Sequence, residues 1–391
     1  MSQITTPEFT QSFAPEDTPE GPLSGVRVGV KDLFDVKGYV TKAGSKAREV
    51  LPAAREDADA VALLRAAGAT LVGHNTMTEF AYSGLGLNPH YGTAMTPLVE
   101  GAIAGGSTSG GASALAQGII DVALGTDTGG SLRIPAAFCG VVGLKPTAAS
   151  ISPKGAVALS HTLDSVGPMA RDVETVRHAY DVLSTPANQQ SGALTHLIVP
   201  ENFGMTELDD GVAAAFDAAI PSLEAAGFTV ERRKLDFLDI YAQLPIWHFS
   251  AVESRVHHAA QYEQTPELID PKVKLRMARA DQASAVEYAK TLALRARIVE
   301  AAQAELGLSG VLLPSVAILP PQLSALEEDA AFDRINLLAL RNTTLGNVID
   351  GCSISLPIAG TPGAGLMLTA PAWRDHAILD AAAKIEPLLK R

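Results

Sequence analysis

Two stretches hold residues whose types and spacing could do chemistry. Residues 104–113, "AGGSTSGGAS", contain four glycines, three serines and one threonine. A second island, "ALGTDTGGSLRIPAAFCGVVGLKPT", runs from 123 to 147. A phosphate cradle of the G-x-x-x-x-G-K-[ST] type is excluded, because the chain has no Gly-Lys dipeptide. The dinucleotide pattern G-x-G-x-x-G starts at "GLGLNP" (84–89) but meets Pro89 in its last place. The nucleophile elbow G-x-S-x-G fails at Thr108, which stands where its serine belongs. No lysine follows a serine at the S-x-x-K spacing, and no two of the nine histidines have metal-ligand H-x-x-x-H spacing. What remains is a serine activated by a lysine, directly or through a second hydroxyl.

Gly129 and Gly130 stand just before Ser131. Without side chains there, successive N–H groups can converge on one point, which is how an oxyanion hole is built. The same residues also suit a tight strand-to-helix turn that needs glycine for its backbone angles. The local residues leave both readings open.

The elements around these islands read as α/β. "GVRVGVK" (25–31) predicts a strand, 57–67 a helix stopped by Gly68, and "TLVGHN" (70–75) a second strand. A helix of small residues is predicted at 110–119, followed by "VALGTD" as a buried strand. Further on, strands are expected at 197–200 and in "FTVERR", with a helix at 210–226 between them. The longest helical pattern covers 281–306; "CSISLPIAG", "AGLMLTA" and a terminal helix close the chain. "VLLPSVAILPP" (311–321) is either a strand ending at a pocket or an ordinary strand and loop. This alternation predicts one α/β domain with a central mixed β-sheet flanked by helices on both faces. Residues 1–24 are polar and proline-bearing and read as a loose N-terminal arm before a single domain at 25–391.

Taken together, the chain strongly resembles the amidase signature family. The matching stretches are "GVRVGVKDLFDVKGYVTKAGS" (25–45), "GATLVGHNTMTEFAYSGLGLNPHYGTAMTP" (68–97), "AGGSTSGGASALAQG" (104–118) and "LGTDTGGSLRIPAAFCGVVGLKPT" (124–147). A weaker echo follows in "TLDSVGPMARDV" (162–173) and "NVIDGCSISLPIAG" (347–360). The signature core is thus about 25–175, a variable substrate-covering region about 190–310, and a return to the core 311–391. The resemblance implies that Lys31 is the catalytic base, Ser107 a bridging serine in a cis peptide, and Ser131 the acyl-forming nucleophile. It implies an oxyanion hole from the backbone of Thr128, Gly129, Gly130 and Ser131, and a substrate pocket beginning at Ala81 and Tyr82. It resembles most the shorter plant and bacterial amidases that include indole-3-acetamide hydrolases. The expected activity is hydrolysis of the C–N bond of a small carboxylic amide. The alternative is a glutamine-hydrolysing subunit of a transamidating complex.

A lysine can act as base only when neutral, so its pKa must fall from about 10.4 toward 7–8 through burial. The apolar "VGV" before Lys31 supplies that burial, with Asp32 expected on the other face of the strand. Three departures from the family pattern stand out: Ala104 for proline, Met95–Thr96 for Arg-Asn, and Ala148–Ala149–Ser150 after "KPT".

Composition narrows the partners. A formal net charge of −13, with no basic run, argues against nucleic acid. No apolar window reaches the ~18 residues of a spanning helix, so no membrane partner is expected. Two cysteines, Cys139 and Cys352, imply no disulfide framework, and no signal peptide is visible; both suit a cytoplasmic protein. No cofactor and no metal are expected. The partner is a small-molecule amide; the sequence leaves the oligomeric state open, a homodimer included.

Overall fold

The computed structural model describes residues 6–185 and 189–390. Its frame is one sheet of eleven strands among the described residues: β1 (Phe9–Ser12), β2 (Arg27–Lys31), β3 (Thr70–Asn75), β4 (Val122–Asp127), β5 (Val142–Lys145), β6 (Ser165–Ala170), β7 (His196–Pro200), β8 (Thr229–Arg233), β9 (Gly310–Pro314), β10 (Cys352–Pro357) and β11 (Gly365–Ala370). Their spatial order is β1-β3-β2-β4-β6-β5-β10-β11-β9-β7-β8. Strands β3, β2 and β4 run parallel, as do β9, β7 and β8, while the pairings from β4 through β9 are antiparallel. The sheet is therefore mixed.

Alternation along the strands buries both faces. Val122 and Leu124 enter one core with Val61 and Leu64 of the helix Asp59–Ala66 and Ile378 and Ile385 of the helix Asp375–Leu389. Ala123, between them, packs into another core with Ala112 and Leu115 of the helix Ser109–Ala116. Likewise Leu366 and Leu368 face the first layer, while Met367 faces Phe237 and Ile298 on the opposite side.

Small side chains in Ser109–Ala116 have a direct cause. A Cβ on Gly110 would lie 2.3 Å from the Glu8 carbonyl oxygen, and one on Gly111 would lie 2.9 Å from Ala123 Cβ. Only glycine lets this helix settle so close to the sheet and to the N-terminal segment.

Two expectations need correction, and one open alternative is settled. The arm at 1–24 is not loose throughout, because Phe9–Ser12 pairs antiparallel with β3 as the edge strand. Backbone pairing holds it, and of its side chains only Phe9 is buried, so its polar sequence concealed it. The long helix begins at Ala285 rather than 281, where Ser284 and Glu287 form a capping box; 279–282 is a separate 3₁₀ turn. Residues 310–314 form a core strand, and none of 311–321 lines the main cavity. Among the described residues no helix is long and apolar enough to cross a membrane.

Candidate active site

Strands β2 and β4 are parallel neighbours within the sheet, so Lys31 and Thr126 lie close together at their carboxyl ends. Open parallel sheets place ligands beyond the carboxyl ends of their strands. Lys31 is fully buried, and its Nζ lies 2.8 Å from Ser107 Oγ, 2.9 Å from Thr126 Oγ1 and 3.3 Å from the Thr126 carbonyl. Burial pushes its pKa down from 10.5 to about 7, against the opposing pull of the Asp164 and Asp127 charges. Asp32 takes no part in this contact set: its carboxylate accepts from Thr10 Oγ1 at 2.9 Å and from the Lys42 amide at 3.1 Å.

Ser107 follows a cis peptide bond from Gly106. A Cβ on Gly106 would fall 2.6 Å from the Gly86 nitrogen, so the approach of these two segments requires glycine. The Ser107 carbonyl accepts the Thr78 amide at 3.2 Å, and the Thr108 amide donates to the Ser131 carbonyl at 3.3 Å. The two glycine-serine islands are thereby laced together, and Ser131 is almost fully buried on the wall of a cavity of about 500 Å³.

Asp127 organises the turn that carries Ser131. Its carboxylate accepts the Gly130 amide at 2.8 Å, the Leu132 amide at 3.1 Å, and Arg133 Nε and Nη2 at 3.0 and 2.7 Å. Arg133 and Asp127 are both fully buried, and Asn347 donates to the same carboxylate at 3.0 Å. Burial alone would raise Asp127, but the Arg133 charge and its hydrogen bond, with smaller help from the Lys145 charge and the Leu132 amide, hold it below the usual carboxylate range. Thr343 and Thr344 hydroxyls donate to the Gly129 carbonyl at 2.6 and 3.1 Å. Gly130 has φ 141°, and a Cβ there would sit 2.2 Å from Thr343 Oγ1.

This geometry corrects one expectation. Of the four amides nominated for an oxyanion hole, Gly130 N–H is already spent on Asp127. It fixes the turn, and Thr128, Gly129 and Ser131 are the candidates left. Thr128, Gly129 and Ser131 line the cavity, as do Ala81 and Tyr82. Both Phe80 and Ala81 have positive φ, 50° and 59°.

Several contributors went unnoticed in the sequence. Thr126 shares Lys31 with Ser107. Asp164 accepts from Thr128 Oγ1 and from the amides of Leu159 and Ser160. Burial raises its carboxyl to about 6. It lies in the quoted "TLDSVGP", but nothing in its spacing tells that it reaches Thr128, 36 residues away. Among the described residues no His, Cys, Asp and Glu cluster is arranged to hold a metal ion.

Comparison with known proteins shows the family. The Amidase family model matches residues 5–379. A 2-amino-5-chloromuconic acid deaminase of Comamonas testosteroni is 34% identical over 387 residues, spanning 94% of this chain and 82% of that protein. An indoleacetamide hydrolase of Pseudomonas syringae pv. syringae is 32% identical, covering 94% and 86%. A solved structure described as an amidase superposes with a TM-score of 0.85 at 30% identity, over 95% of this chain and 86% of that one. With a buried lysine joined to a serine beside a second, cavity-facing serine, the chain belongs to the amidase family and is a hydrolase of amide C–N bonds.

Proposed function

We propose that Ser131 forms the acyl-enzyme, with Ser107 as proton relay and Lys31 as base, on a small carboxylic amide. The observation that carries this reading is the 2.8 Å contact between a buried Lys31 and Ser107, behind a Ser131 that faces the cavity. A neutral amine at Lys31 directs its two N–H bonds to the Thr126 oxygens and its lone pair to the Ser107 hydroxyl.

In the first half-reaction Ser131 Oγ attacks the amide carbon. Its proton passes to Ser107, whose own proton passes to Lys31 Nζ. The carbonyl oxygen becomes an oxyanion held by the amides of Thr128, Gly129 and Ser131, each well-placed donor contributing about 3 kcal/mol. On collapse the C–N bond breaks, and the lysinium returns its proton through Ser107 to the departing nitrogen, which leaves as ammonia or an amine. A water molecule then attacks the acyl ester by the same proton path, releasing the carboxylic acid and restoring Ser131. Cys139 and Cys352 are free and buried, which suits a reducing compartment, and the cytoplasm is the proposed setting.

The purified chain is incubated with a panel of small primary amides and with glutamine, and ammonia is measured. Release from simple amides, lost in Ser131→Ala, supports the proposal. Turnover of glutamine alone, and only with an added partner, contradicts it.

A further inference from the structure

The charge of the cavity wall runs against that of the molecule. The chain carries −13 overall, yet the cavity is lined by Arg276, Arg279 and Arg341 against one acid, Glu207. Two of these arginines are already committed. Arg276 donates to the Tyr82 carbonyl at 2.9 Å and pairs with Asp333 at 3.1 Å. Arg341 donates to the Gly204 carbonyl and to Asn342 Oδ1, both at 3.0 Å. Glu207 has its own cation, Arg334, at 3.7 Å. Arg279 differs: its backbone N–H caps a helix, but among the described residues its side chain makes no hydrogen bond or ion pair, and its guanidinium lies 4.8 Å from the centre of the Trp247 ring. Contact with an aromatic face orients a guanidinium and leaves its N–H edge free to take an oxyanion bidentately. Arg279 is an exposed residue that lines the cavity, and its charge, like that of Arg276, is near enough to Tyr82 on the same wall to oppose the rise that burial imposes on its hydroxyl.

We propose that the acyl group of the substrate carries a carboxylate remote from the scissile amide, bound by Arg279 over Trp247. This rests on the reading of Ser131 as the acylated residue. The acyl group stays in the site through both half-reactions while the amine leaves, so the cavity is built for it. Most of the remaining wall is apolar, with Leu159, Leu163 and Tyr241 among its residues, and suits a hydrocarbon spacer between the two ends. One free guanidinium fork matches one carboxylate.

The test compares half-amides of linear dicarboxylic acids, in a chain-length series, with neutral monocarboxylic amides of equal length. The wild type is expected to favour the half-amide by at least about tenfold in kcat/KM at its best length, through KM rather than kcat. Arg279→Met and Arg279→Gln should each lower that ratio about tenfold, and Arg279→Lys should restore part of it. Equal turnover of both classes, or a ratio untouched by all three substitutions, overturns the proposal and leaves the role of Ser131 standing. Turnover of neither class, together with no labelling of Ser131 by a fluorophosphonate, overturns both.

Discussion

Replacing Lys31 with methionine should make the protein inactive and more stable, by an amount that shrinks as pH rises. Burial lowers the lysine pKa from 10.5 to about 7 in the folded state. In the unfolded chain it returns to its ordinary value, so between pH 7 and 10.5 the unfolded state binds more protons. Wild-type stability therefore climbs with pH across that window. Below it the full cost applies, 3.5 units at 1.36 kcal/mol each, or about 5 kcal/mol. Integrating the same two titrations from pH 7.5 to 10 returns about 3 kcal/mol of it. Methionine carries no such cost at any pH. It does leave the Thr126 oxygens without Nζ, a penalty of about 1–3 kcal/mol that does not vary with pH. Urea unfolding of both proteins at pH 7.5 and at pH 10 measures the gap, and every other titration common to the two chains cancels in it. The advantage of Lys31→Met should fall by about 3 kcal/mol between those pH values. A gap that stays constant or widens would refute the claim that Lys31 is a buried, neutralised amine.

Other substitutions test the parts around it. Ser107→Ala should slow acylation by about 10²–10⁴-fold, seen as loss of ammonia release, while the thermal midpoint changes little. In Asp164→Asn, removing a charge that favours the lysinium should move the rise of kcat/KM to lower pH; a shift to higher pH contradicts the role given to Asp164. Arg133→Met leaves Asp127 buried without its cation and should cost about 3–5 kcal/mol in denaturant titrations, with part regained in the double variant that also carries Asp127→Asn.

The sequence revealed what is local. Apolar periodicity, Gly68 as a helix stop, and the two glycine-serine islands marked the strand that carries Lys31 and the segments that flank Ser107 and Ser131. It concealed whatever depends on chains meeting in space. Asn347, Thr343 and Thr344 come from more than 200 residues beyond the turn they brace, and their types are ordinary for helix ends and loops. Edge strand β1 was missed because its pairing with β3 is mainly backbone to backbone and only one of its four side chains, Phe9, is buried. The oxyanion expectation erred at Gly130 for a related reason: two glycines in a row signal freedom of the backbone, but not which amide the Asp127 carboxylate will claim. One signal was available and overlooked, the S-x-x-E of Ser284 and Glu287, which sets the start of the longest helix.

The central claim, that a neutral amine at Lys31 draws the proton of Ser131 through Ser107, is tested most directly by how fast Ser131 is modified as pH changes. Intact-mass spectrometry follows labelling by a fluorophosphonate between pH 5 and 10 in the wild type and in Lys31→Met. The rate should rise with a single midpoint near pH 7 and then level off, as the pKa of about 7 requires. Lys31→Met should label about 10²–10⁴-fold more slowly and without that midpoint. A wild-type midpoint near pH 10, or a Lys31→Met profile that runs parallel to the wild type, would contradict it.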